Sequence, residues 1–288
     1  MTQPSEAFGL GRTCALAVAG GRDLAKCAAR YSGLFPEDSF DAGLYASLAL
    51  AGAFGSPWAT AETLRAINRS SLLVFAADRL IDEVATSRDE VAALVGDCLA
   101  AAGGAAPTSP ITAFLADLRA ELATAPRFAA LEAGWRDQLE LMLLAMAREW
   151  DWRQAGDKPT DEEYLANADS CGASFISVSH WIYTGLVDDP GDLGRLRAAG
   201  DRVQRYLRLL NDLATHQREA GFGDLNALAL GMSPGEVTQR MAELSAEAVQ
   251  AIEPLRSGHP RATEYLLFQI DYSTGFYGIS DFWARGES

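Results

Sequence analysis

The chain is poor in positive charge, in cysteine and in long apolar runs, and each shortage removes a class of function. Lys and Arg number 24 against 39 Asp and Glu, a formal net charge of −15, whereas a nucleic-acid or anionic-membrane surface needs clustered cations. An anionic substrate would therefore have to be met by metal ions or by local arginines. Only four cysteines occur, Cys14, Cys27, Cys98 and Cys171, without a CxxC pair. They are too few and too scattered for a disulfide framework or a structural zinc site, and they fit a reducing cytoplasm. No stretch reaches the roughly 20 apolar residues of a membrane helix. The apolar segment from Cys14 to Ala19 is shorter than a signal-peptide core, so no targeting signal is expected. Strand-like alternation, long linkers and repeats of fixed period are missing too.

What remains is helical. With 288 residues, 49% of them hydrophobic, the chain can bury a large core. Apolar residues recur at three and four spacing between breaks at Phe35-Pro36, Ser56-Pro57, Gly103 to Pro110, Asp157 to Pro159, Asp188 to Pro190 and Ser257 to Pro260. This pattern predicts an all-α chain of one domain over 1–288. Its helices fall at about 14–32, 39–54, 58–86, 89–102, 110–123, 128–155, 161–185, 191–220, 233–256 and 260–284.

Two segments carry candidate chemistry. In Arg208-Leu-Leu-Asn211-Asp212-Leu-Ala-Thr215-His-Gln-Arg218-Glu219, the residues Asn211, Thr215 and Glu219 stand four apart. One helix face then carries an amide, a hydroxyl and a carboxylate. Hard divalent cations such as Mg²⁺ take oxygen ligands of this kind and leave room for waters and phosphate oxygens, so the segment is a candidate magnesium-diphosphate site. Its pattern arises by chance on the order of once per hundred chains of this composition. Upstream, Asp78 and Asp82 in Phe75-Ala-Ala-Asp78-Arg79-Leu-Ile-Asp82-Glu83 fall one turn apart on an otherwise apolar helix. A DxxxD pair alone is expected about once in such a chain.

Taken together, these motifs resemble those of class I terpene synthases, in which an Asp-rich motif and an Asn/Thr/Glu motif face each other across an α-helical bundle. The order is right, and 133 residues separate Asp78 from Asn211. The resemblance covers nearly the whole chain. It implies a single-domain class I terpenoid synthase helical bundle in which three Mg²⁺ ions are held by Asp78, Asp82, Asn211, Thr215 and Glu219 against a prenyl diphosphate. Arg208 and Arg218 match family positions that contact diphosphate. Arg79 stands where the family usually has a second Asp. The stretch Tyr164-Leu-Ala-Asn167-Ala-Asp169-Ser-Cys171-Gly172-Ala-Ser-Phe175 matches a helix that the family kinks at a small residue, here Gly172. No arginine occurs between Arg153 and Arg195, so the diphosphate-sensing Arg of many bacterial sesquiterpene synthases is absent, and Asn167 or Asp169 is left to hold that place. This block, with Ser179-His180-Trp181 after it, looks more like bacterial diterpene synthases of the kaurene-synthase kind, which take a bicyclic copalyl-type diphosphate.

The expected activity is thus Mg²⁺-dependent ionisation of a prenyl diphosphate and cyclisation of the carbocation. A copalyl-type or geranylgeranyl diphosphate is the first substrate choice, and a class II diterpene cyclase the implied pathway partner. Farnesyl diphosphate is the alternative substrate, and a non-catalytic α-helical interaction module the alternative of another kind. A homodimer is compatible with the apolar surplus. A carbocation needs dry, electron-rich walls, for which Phe75, Phe175, Trp181, Phe276, Tyr277, Phe282 and Trp283 are candidates, with His180 and His216 as possible bases. The tail has Asp271-Tyr272 and Phe276-Tyr277 in place of the family's Arg-Tyr pair.

Overall fold

In a computed structural model, residues 5–219 and 225–282 are described, without the side chains of 217–219. Arg218, Glu219 and Trp283 therefore lie outside the described side chains. Twelve α-helices and no strands occur among the described residues, in agreement with the all-α expectation. They are α1 (Glu6–Ala28), α2 (Ala42–Gly55), α3 (Leu64–Arg79), α4 (Arg88–Ala102), α5 (Pro110–Leu122), α6 (Phe128–Ala155), α7 (Asp161–Ala166), α8 (Ala173–Thr184), α9 (Pro190–Glu219), α10 (Ala227–Leu230), α11 (Pro234–Ile252) and α12 (Pro260–Tyr277).

Local chemistry accounts for many of the boundaries. Ser5, Asp41 and Ser87 cap α1, α2 and α4 through side-chain oxygens that accept backbone N–H groups of the first turn. Capping boxes formed by Ser109 with Thr112, Thr160 with Glu163 and Ser233 with Glu236 open α5, α7 and α11. Gly156 and Gly185 close α6 and α8 at φ of +69° and +67°.

Three predicted helices are interrupted. The segment 58–86 is α3 followed by a π turn, Leu80–Val84, whose signature is the Ala85 N–H donated to the Leu80 carbonyl at 2.9 Å, five residues back. The segment 161–185 is α7, a 3₁₀ turn at Ala168–Cys171 and α8. The segment 233–256 ends in a 3₁₀ turn at Glu253–Leu255. α1 begins earlier than expected because Ser5 caps it, α12 ends earlier, and the short α10 has no counterpart in the prediction.

α3 lies inside the bundle, packed against α8 and α5; α6 packs against α4, α8 and the 3₁₀ turn; α9 packs against α11 and α12. The core runs through Leu72, Leu73, Phe114, Trp135, Phe175, Trp181, Leu196 and Leu266, all within 2% of full burial. The first motif thus sits at the end of a core helix, and the second on a helix that touches both α12 and the 3₁₀ turn.

Candidate active site

Thr215 is buried, and its hydroxyl donates to the Asn211 carbonyl at 2.8 Å. The Asn211 side-chain NH₂ donates to the Tyr277 hydroxyl at 3.0 Å. Thr215 thereby commits its hydroxyl proton and Asn211 one of its two side-chain N–H groups, which leaves the lone pairs of the Thr215 hydroxyl and the Asn211 amide oxygen able to accept or to ligate. The sequence places Glu219 one turn further on.

Asp212, adjacent to the motif, does something else. It is 1% exposed, accepts from the Tyr164 hydroxyl at 3.0 and 2.9 Å and from the Ala227 N–H at 3.0 Å, and faces the Arg208 Nε at 3.5 Å. This carboxylate anchors α10 and belongs to a buried polar cluster. In that cluster Arg208 donates to the Tyr164 hydroxyl at 2.6 Å, to the Ser170 hydroxyl at 2.9 Å and to the Leu225 carbonyl at 3.2 Å. It also pairs with Glu149 at 2.9 Å and lies 4.5 Å from the centre of the Tyr164 ring. Burial opposes the guanidinium's charge, but Glu149, Tyr164 and Asp212 outweigh it and hold the group well above its ordinary range. Burial likewise pushes the Tyr164 phenol well above its usual value. Asn167 joins in: its amide donates to the Ala145 carbonyl at 2.9 Å and to Glu149 at 3.2 Å, and its oxygen accepts from Arg148 at 3.2 Å. The cluster ties α6, the 3₁₀ turn and α9 together. Asp169 ties the same elements from another side, accepting from Gln138 and Gln204 at 2.7 and 2.9 Å.

Gly172 occupies the break. Its φ is +69°, and a Cβ there would come within 2.5 Å of Val74 Cγ1 on α3. Only glycine satisfies both demands, and the close approach sets the break against α3 one turn before Asp78. Asp78 and Asp82 are half-buried. The π turn begins between them, so the α-helical phase assumed for the pair does not continue to Asp82. Arg153 of α6 donates through Nη2 to the Asp82 carbonyl at 3.1 Å and to its carboxylate at 3.3 Å. Arg79 pairs with Glu83 at 3.5 Å.

The C-terminal segment connects the two motifs. Phe282 meets Phe75 edge-to-face at 5.9 Å, stacks on Phe276 at 4.6 Å and meets Tyr277 at 5.8 Å. Since Tyr277 holds Asn211 and Phe75 lies one turn before Asp78, one aromatic group spans from the first motif to the second. Phe175 and Trp181 are instead fully buried, Phe175 against Trp135 at 5.9 Å. His180 is also fully buried; its Nε2 lies 2.7 Å from the Ser56 hydroxyl, and burial lowers its pKa to about 3, so it is a neutral imidazole.

The donor chemistry suits a hard cation. Carboxylate, amide and hydroxyl oxygens are provided, with no thiolate or imidazole among them. Among the described residues no three His, Cys, Asp or Glu side chains form a group able to hold a metal ion.

Sequence reasoning passed over Arg153, Tyr164, Glu149 and Asp212. The signal for Asp212 was its place in the motif; nothing local marked the other three.

Comparison with known proteins bears on the chain as a whole. The family model described as terpene synthase family 2, C-terminal metal binding, matches residues 69–284. The ent-pimara-9(11),15-diene synthase of Streptomyces sp. (strain KO-3988) is 30% identical over 272 residues, 90% of this chain and 89% of that protein. Linalool/nerolidol synthase from Streptomyces clavuligerus, solved with 2-fluorogeranyl diphosphate, superposes with a TM-score of 0.70 at 18% identity, covering 90% of this chain and 97% of that one. Isoprene synthase from grey poplar leaves, solved with three Mg²⁺ ions and dimethylallyl-S-thiolodiphosphate, superposes at 0.70 with 16% identity, over 92% of this chain and 55% of that one. No described helix is long and apolar enough to cross a membrane. With the family model spanning both motifs and a relative aligned over nine tenths of its length, the chain belongs to the class I terpene synthase family.

Proposed function

We propose that this enzyme is a Mg²⁺-dependent diterpene synthase that ionises a copalyl-type bicyclic diphosphate, or geranylgeranyl diphosphate, and cyclises the resulting carbocation to a hydrocarbon. The observation that carries the reading is the aromatic bridge Phe75–Phe282–Tyr277–Asn211, which places apolar rings between two oxygen-rich motifs. The diterpene choice is supported by the ent-pimaradiene synthase relative and by the Asn167 to Gly172 block.

Asp78, Asp82, Asn211, Thr215 and Glu219 would hold the ions, three of them with diphosphate bound. When bound, Mg²⁺ would neutralise charge on the diphosphate as its C–O bond breaks, an effect larger in the transition state than in the intact ester. The chain's own work lies around that event. Thr215 and Tyr277 fix the Asn211 backbone and amide, so that its oxygen is presented without reorganisation. The Arg208 cluster holds α6, the break and α9 in register, its guanidinium balanced by Glu149 and Asp212, and Arg218 would add positive charge beside the second motif. Phe75, Tyr277 and Phe282 keep water from the mouth and face the cation with π-electrons, each ring adding about 0.5–2 kcal/mol. Phe175 and Trp181 shape the walls from within the core. The reaction closes when a proton leaves the last cation.

The test is gas chromatography–mass spectrometry of products after incubating the protein and Mg²⁺ separately with farnesyl, geranylgeranyl and the stereoisomeric copalyl diphosphates. A copalyl isomer turned over alone would make the protein the partner of a class II cyclase. Turnover of farnesyl diphosphate alone would overturn the diterpene assignment, and absence of product from all of them would overturn the enzymatic one.

A further inference from the structure

A departing diphosphate requires cationic donors in addition to metal, because its charge is spread over several oxygens and rises on the bridging one as the bond breaks. With a net charge of −15, the protein has few arginines to spend there, and the structure narrows them. Arg208 is turned into Glu149, Ser170, Tyr164 and the Leu225 carbonyl, all within 3.2 Å. Its removal from that buried set would leave the Glu149 and Asp212 carboxylates uncompensated. Arg148 holds Asn167, Arg197 holds Gln138 and the Gly134 carbonyl, and Arg205 pairs with Asp201. Arg79 pairs with Glu83. The break at Gly172 has no arginine.

Arg153 differs from these in what it touches. It stands on the last turns of α6, its side chain 18% exposed, and reaches across 71 residues of sequence to donate to both the carbonyl and the carboxylate of Asp82. It thereby contacts a first-motif carboxylate. Its bonds to Asp82, 3.1 and 3.3 Å, are long against the 2.7–2.9 Å of a tight charge-assisted pair. The carbonyl it meets belongs to the π turn, where the widened ladder leaves end carbonyls in search of donors.

We propose that Arg153 is a diphosphate-binding residue: its planar fork exchanges Asp82 for the substrate's phosphate oxygens, which match its geometry equally well, and so frees the Asp82 carboxylate as the substrate arrives. The proposal rests on the reading of the protein as a diphosphate-ionising enzyme and adds to it the group that recognises the leaving diphosphate in a chain whose kink carries no arginine. Arg153 in this role binds the diphosphate, and through Asp82 it couples that binding to the first motif.

The test uses the full-length protein, isothermal titration calorimetry with inorganic diphosphate at a fixed excess of Mg²⁺, and thermal melting of the same samples. Arg153→Gln is expected to weaken diphosphate binding at least tenfold, and Arg153→Lys, which keeps the charge without the fork, about threefold. Arg88→Gln, which breaks the neighbouring Arg88–Asp151 pair at the head of α4, is expected to bind within twofold of the parent. Arg153→Gln that melts earlier yet binds diphosphate as tightly as the parent would show a purely structural clamp and overturn the proposal. Should Arg153→Gln not fold, Arg153→Lys binding at parental strength would overturn it as well. A parent protein that binds no diphosphate with Mg²⁺ would instead overturn the functional reading itself, and this inference with it.

Discussion

Asn211 and Thr215 are tied down through their own donors: one side-chain N–H of Asn211 goes to Tyr277 and the Thr215 hydroxyl to a backbone carbonyl, which leaves both side-chain oxygens able to act as the proposed ligands. Asn211→Ala or Asp78→Ala is expected to abolish hydrocarbon formation while the helical circular-dichroism spectrum stays intact, since neither change empties the core. Full turnover in either variant would remove that residue from the site. His180 makes a different statement. Burial takes its pKa from 6.5 to about 3, so the unfolded chain binds a proton that the folded one refuses. Stability therefore falls as pH drops through about 6.5 and goes on falling toward about 3, by up to about 1.4 kcal/mol per pH unit. Melting temperatures measured from pH 7.5 to 4.5 should decline less steeply for His180→Asn than for the parent; parallel curves would mean that His180 titrates normally in the fold.

At the scale of elements, the interruptions matter more than the helices. The π turn after Arg79, the 3₁₀ turn after Ala166 and the left-handed Gly172 all lie beside a motif or a partner of one. Gly172→Ala would meet both a disfavoured φ and the Val74 methyls, costing about 1–3 kcal/mol for the backbone alone and pushing α3 away just before Asp78. A lower melting temperature together with reduced turnover is expected. Unchanged melting would show that the break relaxes freely. The helix pattern predicted 161–185 as one span because apolar spacing continues through it. The family resemblance, and not periodicity, pointed to the kink.

At the scale of the whole molecule, a chain of net charge −15 that takes the proposed diphosphate substrate would depend on added cations. Mg²⁺ and inorganic diphosphate together are expected to raise the melting temperature by mass action on the folded state, about 2.7 kcal/mol at a hundredfold excess over Kd. Diphosphate with a chelator should give no rise. A rise with diphosphate alone would mean that protein cations suffice.

The sequence by itself determined the helical class, most of the α-helices to within a few residues, and the four-residue spacing that sets Asn211 and Thr215 along α9. Each of these depends on spacing along one helix, and hydrophobic periodicity and a four-residue repeat are local properties. What the tertiary structure alone decided is which side chains those helices bring to one another. Asp212 turns to Tyr164, 48 residues away, and not to the face that carries Asn211 and Thr215. Arg208 is claimed by Glu149, Arg153 by Asp82, and Phe282 closes from Phe75 to Tyr277. Such contacts join segments far apart in the chain, and they follow from how whole faces pack, which no spacing within a single helix encodes.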